Sequence, residues 1–492
     1  MKKNMEQISK KTIKAIELHK SGNLLEAKKN YLEVLENDPD NHQIKRLLAL
    51  IEYSTKNYST ALMLLNDCIK LNDQDSEALA NRGMVNLKLK NLTEAENDYK
   101  KSIEIDDNIN GLFNYANLLK EKKDYNKSIQ IFNRVLKKNP NFYKAYNNIG
   151  MIQSELGEYE NAIKNFDSAL EIKNDYGNAL FCKSINQLLL GNYTEGWKNY
   201  EWRWKTPIFD FPKRDFIQPY WNGSDDLSNK TILIHGEQGL GDHFQYIRYL
   251  ELIKKKAKKV VLEVDKRLVI FLKESQIHDE VYARGEKLPF FDYHCPLMSL
   301  PLKFSTTLEN IVAHKEYLTV KPERQKKWES FFDKNKVNIG IAWEVNKDVQ
   351  VKDRSIEVEN FYELSKIKNV SLYSLQKYDS FQLQDNLNFE IKNFGKNFDE
   401  EAPFLDTGAI IKNLDLVISV DTSIVHLSAA LGCKTYLILS NKPHWTWQLK
   451  KKKTPWYPTI EIYRQNINKD WKSVFNEIKS DLIKYFDEKV NS

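Results

Sequence analysis

Tryptophan is missing from the first 196 residues of this 492-residue chain, although ten follow from Trp197 onward. Two regions of different make are therefore expected, with a boundary near that residue. Cysteine is scarce as well: Cys68, Cys182, Cys295 and Cys433 are far apart and form no CxxC pair, which excludes a disulfide framework. Cys68 and Cys433 fall in helical apolar patterns and read as buried free thiols. Only 17 glycines and 13 prolines occur, so the composition is globular and helix-rich, neither low-complexity nor collagenous. No apolar run reaches the roughly 18 residues of a membrane-crossing helix, and the opening Met1-Lys-Lys-Asn-Met-Glu6 has no apolar signal core. A cytoplasmic location is the expectation. The net charge of +6 is small for this length, and lysines are spread along the chain. The runs Lys254–Lys256 with Lys258–Lys259, and Lys450–Lys453, read as solvated surface, so nucleic acid is not an expected partner.

The early region is periodic. Ala27, Ala61 and Ala95 stand 34 residues apart, Ser128 follows after 33, and Ala162 and Gly196 after 34 each. Four positions beyond each comes a bulky partner: Tyr31, Leu65, Tyr99, Phe132, Phe166 and Tyr200. A small residue followed by a large one at helical spacing lets antiparallel helices approach and then fills the groove. Gly22, Gly157 and Gly191 mark turns between helices, while Pro39 and Pro140 close second helices. The pattern resembles the tetratricopeptide repeat. Six copies are expected over residues 8–204, ending in Trp197-Lys-Asn-Tyr-Glu-Trp-Arg-Trp204. The resemblance implies a right-handed α-solenoid whose groove holds a peptide or protein partner. Asn81, Asn114 and Asn148 recur at one position of the first helices. They either bond an extended peptide or tie neighbouring repeats together.

From Thr231 short apolar runs alternate with helical stretches, which predicts parallel sheets covered on both faces. Strands are expected at Thr231–His235, Val260–Val264, Val337–Trp343, Ser371–Leu375, Leu416–Val420 and Thr435–Leu439. Helices are expected near residues 242–256, 359–367, 404–412 and 424–431. The charged stretch 321–336 is the expected seam between two α/β units. The resulting division is a repeat domain at 8–204, a linker at 205–229, units at 230–325 and 326–465, and a C-terminal helix at 466–492.

Two turns carry the candidate chemistry. After the first strand, Gly236-Glu-Gln-Gly239-Leu-Gly241-Asp242 has the spacing GxxGxG, neither a dinucleotide fingerprint nor a P-loop. Its glycines, with Gln238, would let an acceptor approach the backbone. Asp242 is either a helix cap or a general base, and His243 is a backup base or a structural ring. Later, Asp421, Thr422 and Ser423 open a helix; they either cap it or hold a diphosphate at its free N–H groups, with His426 one turn in. Lys352 and Arg354, on the loop after Trp343, are surface charges or the cations of a diphosphate site. Gln376, at a strand end, can read a base or sugar edge. The histidines lack HExxH spacing, and the Asp-x-Asp pairs Asp38/Asp40 and Asp73/Asp75 fall in repeat turns. No metal is expected, and no Gly-x-Ser-x-Gly elbow points to a hydrolase.

Four stretches carry a wider resemblance: Gly236-Glu-Gln-Gly-Leu-Gly-Asp-His-Phe-Gln-Tyr-Ile-Arg-Tyr249, Leu288-Pro-Phe-Phe-Asp-Tyr-His-Cys-Pro-Leu-Met-Ser-Leu-Pro301, Val420-Asp-Thr-Ser-Ile-Val-His-Leu427 and Pro455-Trp-Tyr-Pro458. With them, residues from about Trp197 to Trp471 resemble the glycosyltransferase-like domain that follows tetratricopeptide repeats in bacteria. That domain is related to the heptosyltransferase family, glycosyltransferase family nine. The resemblance implies a GT-B fold of two Rossmann-like units, acceptor on the first, nucleotide-sugar donor on the second, and no metal or other cofactor. It places the base at Asp242 and the donor site at Asp421, Thr422 and His426. Where that family tends to carry Asp-Trp-Arg-Trp, this chain has His444-Trp-Thr-Trp447.

The leading expectation is an inverting transferase moving a sugar from a nucleotide diphosphate to a hydroxyl or amide acceptor, with the repeats recruiting that acceptor or a partner. The rival is a non-catalytic repeat scaffold with a degenerate transferase-like domain. A nicotinamide-binding enzyme is excluded by the glycine spacing and by Asp265 being the sole ribose-binding candidate.

Overall fold

The computed structural model describes residues 2–209, 211–345, 354–376, 387–395, 398–466 and 470–490. The chain divides into two compact units, Met1–Ala179 and Leu180–Ser492.

The first unit is built from helix pairs: α1 (Lys2–Lys20) with α2 (Leu24–Asn37), α3 (His42–Ser54) with α4 (Tyr58–Leu71), α5 (Ser76–Lys88) with α6 (Leu92–Ile105), α7 (Ile109–Glu121) with α8 (Tyr125–Lys138), and α9 (Tyr143–Leu156) with α10 (Tyr159–Ile172). The periodic small and bulky residues are its core: Ala27, Ala61, Ala95, Tyr31, Tyr99, Phe132 and Phe166 are all fully buried. The close approach has a further component. A Cβ on Gly83 would lie 2.7 Å from the Tyr99 ring, and one on Gly150 would lie 2.7 Å from Phe166. First helices therefore also give up side chains where the second helix's aromatic lands. The turn inside each pair needs a left-handed residue. Glycine fills it at Gly22 and Gly157, but Lys56, Lys90 and Lys123 adopt φ of 65°, 65° and 62° at the equivalent places. Asn148 donates to Asn117 Oδ1 at 2.8 Å across to the preceding repeat, so at this position the asparagine ties repeats together. Asn81 and Asn114 are half-buried and make no side-chain hydrogen bond among the described residues.

The sixth pair, α11 (Gly177–Leu190) and α12 (Tyr193–Tyr200), straddles or follows the division and does not end the first unit. Trp197 explains why. Its ring meets Trp445 edge-on at 5.2 Å and Trp456 at 6.3 Å, both from the far end of the second unit. Tyr193 accepts a 2.8 Å hydrogen bond from the Trp456 indole. The last repeat is thus cemented into the α/β core by aromatic residues, which accounts for tryptophan beginning there.

The second unit holds two sheets. The first has the order β3-β2-β1-β4, all parallel, from β1 (Thr231–His235), β2 (Lys259–Val264), β3 (Glu280–Ala283) and β4 (Tyr293–Pro296). The second has the order β6-β5-β7-β8-β10-β9, from β5 (Val337–Ala342), β6 (Val370–Ser374), β7 (Leu416–Val420), β8 (Thr435–Leu439), β9 (Lys453–Thr454) and β10 (Tyr457–Arg464). Among the described strands only β9 runs antiparallel to its neighbour. β3, β4, β9 and β10 were not expected from the sequence; short strands within mixed polar sequence give little period-two signal.

Several expectations need correction. Within the expected linker at 205–229, Phe209, Trp221 and Leu227 are buried and the Trp221 N–H donates to the His294 carbonyl at 2.9 Å, so these residues pack on the second unit. The helix expected over 242–256 is broken into Leu240–Tyr246, a tight turn Ile247–Tyr249, and Leu250–Lys254. The seam at 321–336 contains a helix, Pro322–Glu329, whose Trp328 indole bonds Asp406 of the second half at 2.8 Å. Cys433 lies between helix and strand rather than within a helix. The C-terminal helix, Trp471–Val490, sends Val474, Phe475, Ile478 and Leu482 into the core of the second sheet.

Candidate functional site

In each sheet the order reverses at one gap, between β1 and β4 and between β5 and β7, and such switch points leave a crevice at the strands' carboxyl ends. The two motif turns occupy these places.

The first turn leaves β1 at His235 and enters the Leu240–Tyr246 helix. Gly236 has no room for a side chain, because a Cβ there would lie 2.1 Å from His243 Nε2. His243 is fully buried, its Nδ1–H donates to the Gly239 carbonyl at 2.8 Å, and burial lowers its pKa to about 4. It is a neutral ring wedged beneath the turn, and the base role foreseen for it does not suit a side chain with no exposed surface. Glu237 is held from behind by Arg203 through paired contacts of 2.8 and 3.0 Å. Arg203, itself fully buried, also reaches Glu201 at 2.6 Å and Ser299 at 2.7 Å. Gln238 forms the exposed tip with φ of 50°, a strained value for a residue with a Cβ. Asp242 accepts the Gly239 N–H at 3.1 Å, closing the helix start. Burial pushes its pKa up to about 7, outweighing that N–H and Arg354, while Asp421 and Glu237 push the same way as burial. Cap and base are therefore compatible roles for this one carboxylate.

The second turn leaves β7 at Val420. Thr422 is the N-cap, its Oγ1 accepting the Ile424 N–H at 3.3 Å, and Ser423 begins the Ser423–Ala430 helix. Asp421 does not cap. Burial would raise its pKa, but the Arg354 charge foremost holds it below the ordinary value. The Arg354 guanidinium lies 3.3 Å from Asp421 Oδ2 and His426 Nε2 lies 4.0 Å from Oδ1. His426 is buried between Trp447 and Tyr457, shares a 2.7 Å hydrogen bond with the Tyr457 hydroxyl, and is kept neutral by burial, at about 3. Lys352 lies outside the described residues. Gln376 spends its side-chain oxygen on the Trp343 and Glu344 N–H groups, both at 3.2 Å, and Trp343 is buried in the core of the second sheet. The Gln376 oxygen and the Trp343 ring thus shape the end of β5.

The turns meet. A Cβ on Gly241 would lie 2.9 Å from the His426 ring, so the two motif helices touch at their starts. The turn glycines Gly236 and Gly241 thus make room for two histidines. Asp242, Asp421, Arg354 and His426 form one electrostatic group. The His444–Trp447 stretch is structural in part: Trp445 packs on Trp197 and Trp456, and His444, kept neutral at about 4 by burial, shares a 2.8 Å bond with Thr446. Sequence reasoning missed Arg203, Glu237 and Arg248. Arg248 is a buried cation with no acid partner among the described residues. It bonds the carbonyls of Gln245, Val312 and Trp456 and lies 4.3 Å over the Tyr457 ring, stitching the two halves behind the site. A charged residue set among aromatics was the available signal for both arginines. Among the described residues, no group of three or more His, Cys, Asp or Glu is arranged to hold a metal.

Four family models for the tetratricopeptide repeat match residues 14–67, 76–109, 111–141 and 143–176. The first unit is made of tetratricopeptide repeats. Across a longer span, the chain is 25% identical over 362 residues to Protein FlbA of Caulobacter vibrioides, covering 68% of this chain and 60% of that protein. Among solved structures, similarity extends to MamA (20% identity, 32% of this chain and 94% of that one, TM-score 0.29). It extends also to PilW, a type IV pilus biogenesis factor (17%, 40% and 90%, TM-score 0.37), and to YrrB, a repeat protein with an unusual peptide-binding site (15%, 35% and 89%, TM-score 0.30). Among the described residues, no helix is long and apolar enough to cross a membrane.

Proposed function

We propose that the second unit is a glycosyltransferase of the GT-B kind, moving a sugar from a nucleotide-diphosphate donor to an acceptor hydroxyl. The observation that carries this reading is Asp242: a carboxylate poised near neutrality, set against the Asp421–Arg354 pair at the start of a second helix. In the proposed step the acceptor oxygen attacks the sugar's anomeric carbon as Asp242 takes its proton. The bond from that carbon to the diphosphate oxygen breaks, and its electron pair leaves with the diphosphate. Arg354 and the free N–H groups around Ser423 meet that charge, supplying electrostatic stabilisation where it develops. Asp421 aims Arg354, and no metal takes part in the step as written. The repeats recruit the acceptor protein or an assembly partner.

A second reading, a non-catalytic scaffold, is favoured by one observation. The neutral His444 and Thr446 stand where the resembling family carries an acid and a cation. A thermal-shift screen with nucleoside diphosphates and nucleotide sugars separates the two. Stabilisation by one nucleotide, lost in a folded Asp421→Ala variant, supports the transferase; silence across the panel supports the scaffold.

A further inference from the structure

The four-stranded sheet has one face covered by an irregular strap instead of a helix. Phe216 of that strap packs on the row formed by Leu233, Val261 and Phe291. Side chains two apart share a face, so His235 and Glu263, register partners on β1 and β2, continue that row to the carboxyl edge. His294 joins from β4 beside Leu233 and shares a 3.2 Å hydrogen bond with His235. Here, at the β1/β4 switch point, a pocket of about 440 Å³ opens, lined by Lys213, Arg214, Phe216, Tyr220, His235 and His294 among others. It includes none of Asp242, Asp421, Arg354 or His426.

Two buried polar atoms beside it have no hydrogen-bond partner among the described residues: His235 Nδ1 and Glu263 Oε1. His235 Nδ1 can donate to a ligand or water, whereas Glu263 Oε1 can only accept and calls for a donor such as water. The acids nearby are mostly spent. Glu201 is bonded by Arg203, Ser299 and Tyr220, and Glu263 pairs with Arg214 at 2.6 Å, which leaves the exposed Asp215 among the described residues that line the pocket. The cations are not spent to the same degree. Lys213 is exposed, and Arg214, though paired, keeps 27% of its side chain in solvent. After burial, the charged groups that lower the pKa of His294 to about 4 are Lys213 and Arg214, and Arg214, Arg203 and Arg284 act on His235 in the same sense. Burial is the larger cause in both rings, and the cations near the pair add to it.

We propose that this pocket binds a small organic anion of sugar size, its carboxylate or phosphate seated between Lys213 and Arg214 with the His235–His294 pair as hydrogen-bond partner. A volume of this order suits a single ring with its substituents. The proposal goes beyond the transferase reading and stands whether or not the Asp242 site turns over.

The test is calorimetric titration of the full-length protein with glucuronate, glucose 6-phosphate, inorganic phosphate and glucose. An anionic probe is expected to bind and glucose to stay silent. Glucuronate alone marks a carboxylate site, and the phosphates alone mark a phosphate site. Lys213→Glu, at an exposed position that leaves folding intact, should weaken binding by at least about tenfold, the loss of one good ion pair. Asp421→Ala should leave it unchanged, which separates failure here from failure of the transferase reading. Glucose binding as well as the anions, Lys213→Glu binding like the wild type, or no binding of any probe up to about 10 mM would each overturn the proposal.

Discussion

The two strand-to-helix turns of the α/β unit use similar parts and shift the pKa of their aspartates in opposite directions. Each follows a buried strand, each carries a buried or partly buried aspartate at a helix start, and each has a histidine packed beneath or beside it. Asp242 is pushed up to about 7, whereas Asp421 is held below the ordinary carboxylate value. Burial acts upward on both. The difference is the cation: Arg354 is 3.3 Å from Asp421 and acts on Asp242 only as a weaker, opposing charge. The anchoring differs too. Both turns carry a side-chain bond at the helix start, from Asp242 and Thr422, and the first is pinned in addition by a buried ion pair behind it, Arg203–Glu237. A helix start does not by itself decide the state of an acid; the nearest counter-charge and the extent of desolvation do.

The sharpest way to break this contrast is at Asp242. Asp242→Asn should lower turnover on the order of 10²–10⁴-fold and remove the rise of kcat/KM with pH through about 7. The folded-state pKa lies above the unfolded one, so ionisation of Asp242 costs stability as pH rises toward about 7. The same variant should therefore melt higher than wild type at about pH 8 and gain little at about pH 4. Unchanged turnover in a folded variant removes Asp242 from the mechanism.

Next in size is the anchor. Arg203→Met leaves Glu237 buried without its partner and should cost about 3–5 kcal/mol in urea unfolding, with part regained on adding Glu237→Gln. A loss within error would mean that the first turn is held by packing instead. Arg354→Gln tests whether one cation sets both acids: turnover should fall on the order of 10²-fold. The pH limb of Asp242 should also move upward, since the guanidinium helps hold that carboxyl down. A limb that stays in place uncouples the turns. The smallest effect is expected for Thr422→Ala, about 1 kcal/mol for a lost cap, measured by thermal melting with activity retained.

The repeats were legible because their contacts are local. Ala27 with Tyr31, and Ala162 with Phe166, meet at helical spacing, so the period writes the packing into the chain. The two motif turns were legible for a related reason, an apolar strand running into a polar turn. What lay beyond reach joined distant residues. Arg203 meets Glu237 34 residues away, Arg248 meets the Trp456 carbonyl 208 away, and Trp197 meets Trp445 across most of the second unit. Gln376, whose place at a strand end suggested a ligand, bonds the Trp343 and Glu344 N–H groups, a contact 33 and 32 residues away in sequence.

By itself the sequence determined the repeat register, the strand ends that carry Asp242 and Asp421, and the absence of a long apolar span. Each follows from spacing within a few residues. Only the tertiary structure decided that the sixth repeat is cemented into the α/β unit, that the segment around Phe216 covers a sheet face, and that the two aspartates titrate apart. Those outcomes depend on which charges and rings are brought together across long stretches of chain, and no local pattern encodes the desolvation or the counter-charge that results.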